Sequence, residues 1–62
     1  MKREWLIAFR KAKGLSQNDV SNAVNVSQTT YAAWELGLRR PRVDKAKKLA
    51  KIFGFDWAKF YE

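Results

Sequence analysis

One stretch of the chain, from Ser16 to Gly37, limits the possible folds more than any other. Val20 and Val24 lie four residues apart, and Tyr31 and Trp34 lie three apart, so each pair falls on one face of an α-helix. Few residues remain between the two pairs, so any two helices here are joined by a tight turn. The predicted helices are Gln17–Val24 and Gln28–Leu36.

The turn between these helices has residues suited to it. Asn25 tolerates the left-handed backbone region and can end the first helix, while Val26 can turn inward at the corner. Ser27 is a natural N-cap for the second helix, and Gly37 can end that helix from the C′ position. Two helices joined by a turn of about three or four residues form the helix-turn-helix geometry that many proteins use to bind DNA.

An ordered set of residues continues this pattern into the flanks: Arg10-Lys11, Lys13-Gly14-Leu15, Ser16-Gln17, Val20, Val24, Val26-Ser27-Gln28, Trp34-Glu35, Gly37, Pro41, Val43-Asp44, Lys48-Leu49-Ala50-Lys51 and Phe53-Gly54-Phe55. With its spacing, the set resembles the phage-repressor and Cro-like helix-turn-helix family, also called the XRE family. The resemblance covers the chain from about Leu6 to Phe60. Two positions depart from the family, since Ser21 stands where alanine is usual and Asn25 where glycine is usual. Both residues still suit a close helix contact and a turn.

The length of 62 residues allows one domain, residues 1–62, with the motif at about 16–37. The periodicity predicts an all-α fold, a compact bundle of five short helices. The resemblance implies that this bundle is a lambda-repressor-like DNA-binding domain. Three helices flank the motif: Lys2–Lys13, a fourth opened by Asp44 and ended by Gly54, and Trp57–Tyr61. The first helix is expected to bury the stripe Trp5, Leu6, Phe9 and Ala12. The fourth is expected to turn Lys45, Lys47, Lys48 and Lys51 toward solvent.

The charge balance of the chain points to a polyanionic partner. Thirteen Lys and Arg residues against six Asp and Glu residues give a net charge of +7. Such an excess on a small domain is the electrostatic footprint of nucleic-acid binding. Solubility alone is the alternative explanation for the charge.

The composition also excludes several classes of function. The chain has no cysteine and no histidine, so the commonest metal ligands and the commonest general base are missing. No nucleophile–base pair or phosphate-binding glycine loop is present, so we predict a protein that is not an enzyme and uses no cofactor, metal or small-molecule ligand. No segment approaches the ~20 apolar residues of a membrane span and none resembles a signal peptide, which predicts a cytoplasmic protein.

The resemblance implies a structural ion pair between Arg10 and Glu35. Arg10 lies at the edge of the apolar stripe of the first helix, where it could equally be a solvated cation. The matching arginine of the family pairs with the glutamate that here is Glu35. The role implied for the pair is to orient the first helix against the third.

The outward face of the helix Gln28–Leu36 is predicted to read DNA bases. Gln28 and Ala32, like Thr29 and Ala33, lie four residues apart, opposite the apolar Tyr31 and Trp34. This face carries no formal charge, which suits insertion between two phosphate backbones. Gln28 can pair with adenine, and the methyl groups of the other three residues can contact thymine. A protein-binding face is the alternative.

Six residues are predicted to contact DNA phosphates. A helix N-terminus offers free backbone N–H groups to a phosphate oxygen, and arginines beside a reading helix can set its register. The residue matching Gln17 commonly touches phosphate in the family, whereas an idle surface amide and a solvated basic loop are the alternatives. The six residues are Gln17, Asn18, Ser27, Arg39, Arg40 and Arg42.

The C-terminal aromatic residues are the predicted dimer contact. One reader helix spans too few base pairs for selectivity, and family members commonly bind pseudo-palindromic operators as twofold dimers. Trp57, Phe60 and Tyr61 offer more aromatic area than a short terminal helix needs, although all three could simply complete the core. We expect a weak homodimer that forms or strengthens on DNA.

These observations predict sequence-specific binding of double-stranded DNA by a small transcriptional repressor or regulator of phage or mobile-element type. The competing hypothesis is a protein-interaction module on the same fold, such as an antirepressor or antitoxin. RNA binding is a weaker third hypothesis, because the aromatic residues fall at core spacing and form no exposed stacking platform.

Overall fold

A computed structural model describes all residues, 1–62, as four α-helices followed by a 3-10 helix, without strands. The prediction of an all-α fold with five short helices is confirmed, with the last one in the tighter 3-10 form. The elements are α1 (Glu4–Ala12), α2 (Gln17–Ala23), α3 (Gln28–Leu36), α4 (Val43–Phe53) and the C-terminal 3-10 helix (Trp57–Tyr61).

The residues proposed as helix caps occupy those positions. Ser16 Oγ accepts from the N–H of Asp19 at 3.0 Å, while Asp19 Oδ2 accepts from the N–H of Ser16 at 2.9 Å, which completes a capping box at the start of α2. The hydrogen bond from the backbone N–H of Ser16 stabilises the ionised carboxylate and is the main cause of the lowered pKa of Asp19. Asn25 has a φ of 59°, so it turns the chain after α2 as expected. Gly37 ends α3 with a φ of 77°.

Four helix ends differ from the prediction. Arg3 has a non-helical backbone and its N–H donates to the carbonyl of Glu35 at 2.8 Å, so α1 begins at Glu4 rather than Lys2. α1 ends at Ala12 and α2 ends at Ala23, each one residue earlier than expected. The extended N-cap of α4 is Arg42, which places Asp44 inside the first turn of that helix. Each change is confined to one or two residues, where helix ends fray.

The core is one cluster to which every helix contributes. It comprises Leu6, Val20, Val24, Tyr31, Trp34, Ala46, Leu49, Phe53 and Phe60. Trp5 and Phe9 are only partly buried against it, and the prediction that Ala12 is buried is wrong, because Ala12 does not pack against the cluster. No helix of the structure has the length and apolar character needed to cross a membrane.

Lys45 joins the start of α4 to the end of α2. Its Nζ donates to the carbonyl of Val24 at 2.7 Å, and the residue is half-buried. The prediction of a solvent-facing Lys45 is therefore wrong, because the carbonyls at a helix C-terminus attract a cation. This contact holds α4 beside the turn that leads into α3.

Candidate nucleic-acid interface

The rotation of α3 about its axis is set by its buried face. Tyr31 and Trp34 are 0% and 4% exposed. Ser27 caps the N-terminus of α3 and Gly37 caps its C-terminus. The opposite side is therefore presented to solvent. Gln28 and Thr29 are exposed there, and Ala32 and Ala33 are half-buried. These four residues offer one amide, one hydroxyl and two alanine methyl groups, and no charge. Leu36, in the last turn of α3, is 43% exposed.

The N-terminus of α3 is capped from within the chain. Ser27 Oγ accepts from the N–H of Thr30 at 3.1 Å and donates to Thr30 Oγ1 at 2.9 Å. The hydroxyl proton of Ser27 is thus used in a hydrogen bond within the protein. A phosphate contact at this residue would therefore use its backbone N–H. That contact stays a prediction.

A bidentate ion pair joins α1 to α3. Arg10 Nε lies 2.6 Å from Glu35 Oε2 and Arg10 Nη2 lies 3.2 Å from Oε1. Arg10 Nη1 also donates to the carbonyl of Leu15 at 2.9 Å. The side chains of Arg10 and Glu35 are 13% and 3% exposed. The pair is buried and geometrically well formed, which is the condition under which buried charges are tolerated.

The ion pair also governs the titration of its members. Burial by itself would raise the pKa of Glu35, but hydrogen bonds from Arg10 and Gln17 outweigh burial and the pKa is lowered. The same hydrogen bond to Glu35 raises the pKa of Arg10 against the opposing effect of burial. Burial raises the pKa of Tyr31, whose hydroxyl has no hydrogen-bond partner. The ion pair is therefore charged at neutral pH.

Gln17 belongs to this junction as well as to the N-terminus of α2. Its Nε2 donates to Glu35 Oε1 at 2.9 Å, so the side chain is tied to α3. Sequence reasoning assigned Gln17 only to phosphate, and nothing in its local sequence indicates a partner 18 residues away. The backbone N–H groups of Gln17 and Asn18 donate to no acceptor in the protein, because the capping box uses only those of Ser16 and Asp19.

The loop between α3 and α4, residues 38–42, carries three exposed cations. Arg39, Arg40 and Arg42 are exposed, and none lies within ion-pair distance of a carboxylate. The guanidinium of Arg40 lies over the ring of Tyr61, 4.8 Å from its centroid. We call residues 38–42 the arginine loop.

Arg3 is a residue that sequence reasoning missed. Its Nη1 donates to the carbonyl of Trp34 at 2.5 Å and to that of Arg39 at 2.7 Å. It therefore links the end of α3 to the arginine loop. The local sequence around Arg3 holds no signal for this contact, since both acceptors are backbone atoms more than 30 residues away.

The predicted aromatic dimer patch is smaller than the sequence suggested. Phe60 is 3% exposed and packs edge-on against Trp5 and Phe55, so it is a core residue with little surface for a second copy. Trp57 and Tyr61 are half-buried and contact each other edge-on, with ring centroids 5.9 Å apart. Phe60 must therefore be removed from the expected contact.

Metal-binding side chains are not grouped in this fold. No three His, Cys, Asp or Glu residues come together in a way that could hold a metal ion. Asp19 and Asp56 instead cap helices, and Glu35 is the partner of Arg10.

Comparison with known proteins gives consistent results. A family model described as helix-turn-helix matches residues 6–60. The chain is 39% identical, over all 62 of its residues and 82% of the relative, to an uncharacterized HTH-type transcriptional regulator, YqaF, of Bacillus subtilis (strain 168). It is 38% identical over 46 residues to the cryptic phage CTXphi transcriptional repressor RstR of Vibrio cholerae, a match that spans 74% of this chain and 41% of that protein. No solved structure matches significantly.

Proposed function

The chain belongs to the helix-turn-helix family, and we propose that it is a transcription regulator that binds double-stranded DNA sequence-specifically. One observation carries the proposal: the exposed side of α3 is free of charge, while the loop that follows α3 bears three arginines without acidic partners. A solvated helix would normally place charges on its outer side, whereas a helix inserted in the major groove needs hydrogen-bonding and methyl groups there.

In this proposal α3 reads bases. Gln28 stands in the first turn of α3 and is exposed, so its amide is free to pair with the N6 and N7 atoms of adenine. Thr29, Ala32 and Ala33 present methyl groups suited to the C5-methyl of thymine. The buried Tyr31 anchors the opposite side of the helix.

Phosphate contacts hold the reader in register. Arg39, Arg40 and Arg42 are the proposed side-chain clamps, since exposed guanidinium groups bind phosphate oxygens by paired hydrogen bonds. The free backbone N–H groups of Gln17 and Asn18 are suited to a second phosphate, and Ser27 to another through its own N–H. The three sets belong to α2, α3 and the arginine loop.

The regulatory role that fits these contacts is repression at an operator. RstR, one of the relatives, is described as a repressor of a cryptic phage, and we propose a similar phage or mobile-element origin for this regulator. Residues 1–62 would act as one domain in the cytoplasm, without a cofactor or an inducer. Bound protein would block access of polymerase to the promoter.

Pairing of two copies on a pseudo-palindromic operator would supply the selectivity that one reader helix lacks. Trp57 and Tyr61 are the proposed contact, and this small surface predicts a weak dimer strengthened by DNA. Sedimentation of the free protein and titration of half-sites and full sites test the idea. A half-site bound as tightly as the palindrome would rule out dimerisation, and full cooperativity in Trp57→Asp would locate the contact elsewhere.

Selection of bound fragments from random duplex DNA tests the function itself. We expect a strong palindromic motif containing adenine and thymine at contacted positions. Binding without any motif would instead support an architectural or protein-interaction role. Gln28→Ala should weaken binding to the selected site by about 1–3 kcal/mol and relax preference at one adenine.

The matched control for Gln28→Ala is Arg40→Ala, which should weaken binding to selected and scrambled DNA alike. Equal losses on both DNAs for Gln28→Ala would show that Gln28 does not read a base. Replacement of contacted thymines by uracil tests the methyl contacts in the same assay.

A further inference from the structure

Both ends of the chain reach the arginine loop. From the N-terminal end, Arg3 Nη1 donates to the carbonyl of Arg39 at 2.7 Å while also bonding the carbonyl of Trp34 at the end of α3. From the C-terminal end, the hydroxyl of Tyr61 donates to the carbonyl of Pro41 at 2.6 Å. Two carbonyls of one short loop are thus held by side chains from opposite ends of the sequence.

The contact from Tyr61 also involves a loop side chain. The guanidinium of Arg40 lies 4.8 Å from the centroid of the Tyr61 ring, which is a cation–π distance. Tyr61 is itself braced by the edge-on contact with Trp57. The ring therefore restricts where Arg40 can place its charge.

Arg3 is held from two further directions. Its guanidinium lies 5.5 Å from the ring centroid of the buried Phe60, and its backbone N–H is bonded to Glu35. The N-terminal backbone also lies against Gly37, where an added Cβ would come within 1.8 Å of the carbonyl oxygen of Met1. Residues 1–3 therefore pack against the C-terminal end of α3.

Positive charges are concentrated where Arg3 meets the arginine loop. Burial lowers the pKa of Arg3, and the nearby positive charge of Arg40 lowers it further, so these two cations lie close together. No carboxylate in ion-pair distance relieves this repulsion.

We propose that Arg3 and Tyr61 are positioning residues that hold the arginine loop in its DNA-binding arrangement. They act on the backbone of Arg39 and Pro41 and on the side chain of Arg40. The arginines of the loop are therefore already ordered before DNA binds. Ordering them beforehand lowers the entropic cost of binding. The inference rests on the proposed DNA binding, but its effect on the loop exists in the free protein.

The first experiment measures the loop without DNA. Trypsin cuts after Arg39 and Arg42 when the loop opens, whereas the Arg40–Pro41 bond resists it. Arg3→Lys keeps the charge but has a single ammonium in place of the planar fork, and Tyr61→Leu removes both the hydroxyl and the ring. We expect each variant to raise the rate of loop cleavage roughly threefold to tenfold, the size of one missing hydrogen bond.

Cleavage after Lys13 is the internal control, since this site lies outside the loop and its contacts. If a variant speeds cutting at Lys13 as much as at the loop, its effect is global unfolding and the proposal is overturned. Tyr61→Phe separates the two contacts of Tyr61, because it keeps the ring beneath Arg40 and removes only the bond to Pro41. We expect its effect to be smaller than that of Tyr61→Leu.

The second experiment measures DNA affinity against salt. Arg3→Lys and Tyr61→Leu should weaken binding and reduce the log–log salt slope by about 0.9 for each phosphate that the loop no longer neutralises. Loss of fold would reduce the active fraction without changing that slope. In an Arg40→Ala background, Tyr61→Leu should have a clearly smaller effect than in the natural chain.

The outcomes separate the two proposals. If the natural chain fails to bind duplex DNA, the proposed function fails, and the trypsin rates alone decide whether the ends hold the loop. If the chain binds DNA and the variants change neither loop cleavage nor salt slope, the positioning role is overturned. Undiminished effects of Tyr61→Leu in the Arg40→Ala background would show that Tyr61 does not act through Arg40.

Discussion

The molecule uses arginine in two contrasting environments. At the junction of α1 and α3, Arg10 is paired with Glu35 through two hydrogen bonds and the two side chains are 13% and 3% exposed. In the arginine loop, Arg39, Arg40 and Arg42 are exposed and lack acidic partners. The guanidinium group is the same in both places, but it is buried and paired with a carboxylate at the junction and exposed without such a partner in the loop.

The contrast separates stability from binding. A buried ion pair is costly to break, because removal of one partner leaves the other charge uncompensated in a poorly hydrated place. An exposed, unpaired guanidinium contributes little to folding and remains available to an external phosphate. We therefore expect changes at the junction to affect unfolding and changes in the loop to affect DNA binding.

The largest expected effect follows removal of Glu35. Glu35→Ala leaves Arg10 buried without its partner and removes the acceptor of Gln17, so the free energy of unfolding should fall by about 3–5 kcal/mol. Urea denaturation at neutral pH measures this. Glu4→Ala removes an exposed acid from the first turn of α1 and should cost only a few tenths of a kcal/mol. Similar costs for the two variants would contradict the role of the junction.

The loop should show the reverse behaviour. Replacement of Arg39, Arg40 and Arg42 together by glutamine should reduce the log–log salt slope of DNA binding by about 0.9 for each phosphate left without an arginine. Unfolding should change by no more than about 0.5 kcal/mol, as expected for exposed sites. The control replaces three exposed lysines outside the motif, Lys11, Lys13 and Lys51, by glutamine. An equal fall in slope for the control would attribute binding to net charge alone.

Gly37 lies between the two regions and gives a smaller effect. Gly37→Ala must hold a φ of 77° and also place a Cβ against the Met1 carbonyl, whereas Gly54→Ala must hold a φ of 82° in open space. The left-handed backbone costs each variant about 1–2 kcal/mol, so any excess for Gly37→Ala measures the packing of the N-terminal segment. We expect an excess of about 1 kcal/mol, typical of overpacking. Equal thermal stabilities would show that this segment moves freely.

The smallest effect concerns pH. The pKa of Glu35 is lowered from its ordinary value of 4.5, so its stabilising contribution is complete above that value and is lost as the pH falls through the folded-state pKa. Unfolding of Glu35→Gln should therefore depend less on pH below 4.5 than unfolding of the natural chain. Urea denaturation repeated across acidic pH measures this dependence. Glu4→Gln is the control, because this exposed acid has no ion-pair partner. A Glu35→Gln profile parallel to that of the natural chain would refute the linkage.

The helices and the turn of the motif were predictable from the sequence because their signals are local. Ser16 and Asp19 complete a capping box over three residues, and Asn25 and Gly37 adopt the left-handed backbone that their residue types favour. The spacing of Tyr31 and Trp34 likewise predicted which side of α3 is buried. Such interactions form within one or two helical turns, so the order of residues determines them.

Other features were accessible only through the resemblance or were missed. The ion pair between Arg10 and Glu35 joins residues 25 apart, and the composition of either segment does not indicate a partner. Gln17 was assigned to phosphate alone, although its amide also bonds Glu35. The half-buried position of Lys45 follows from how the start of α4 packs against the end of α2, which a periodic pattern does not specify.

By itself, the sequence determined four α-helices and a short terminal helix, the helix-turn-helix motif within them, and the uncharged outer side of α3. The tertiary structure alone decided which arginines form hydrogen bonds or ion pairs within the protein and which have exposed side chains available to a ligand. Arg3 reaches carbonyls 31 and 36 residues away, and Tyr61 reaches one 20 residues away. Contacts of this range depend on the packing of all the helices together, because packing brings distant backbone atoms within the roughly 3 Å of a hydrogen bond.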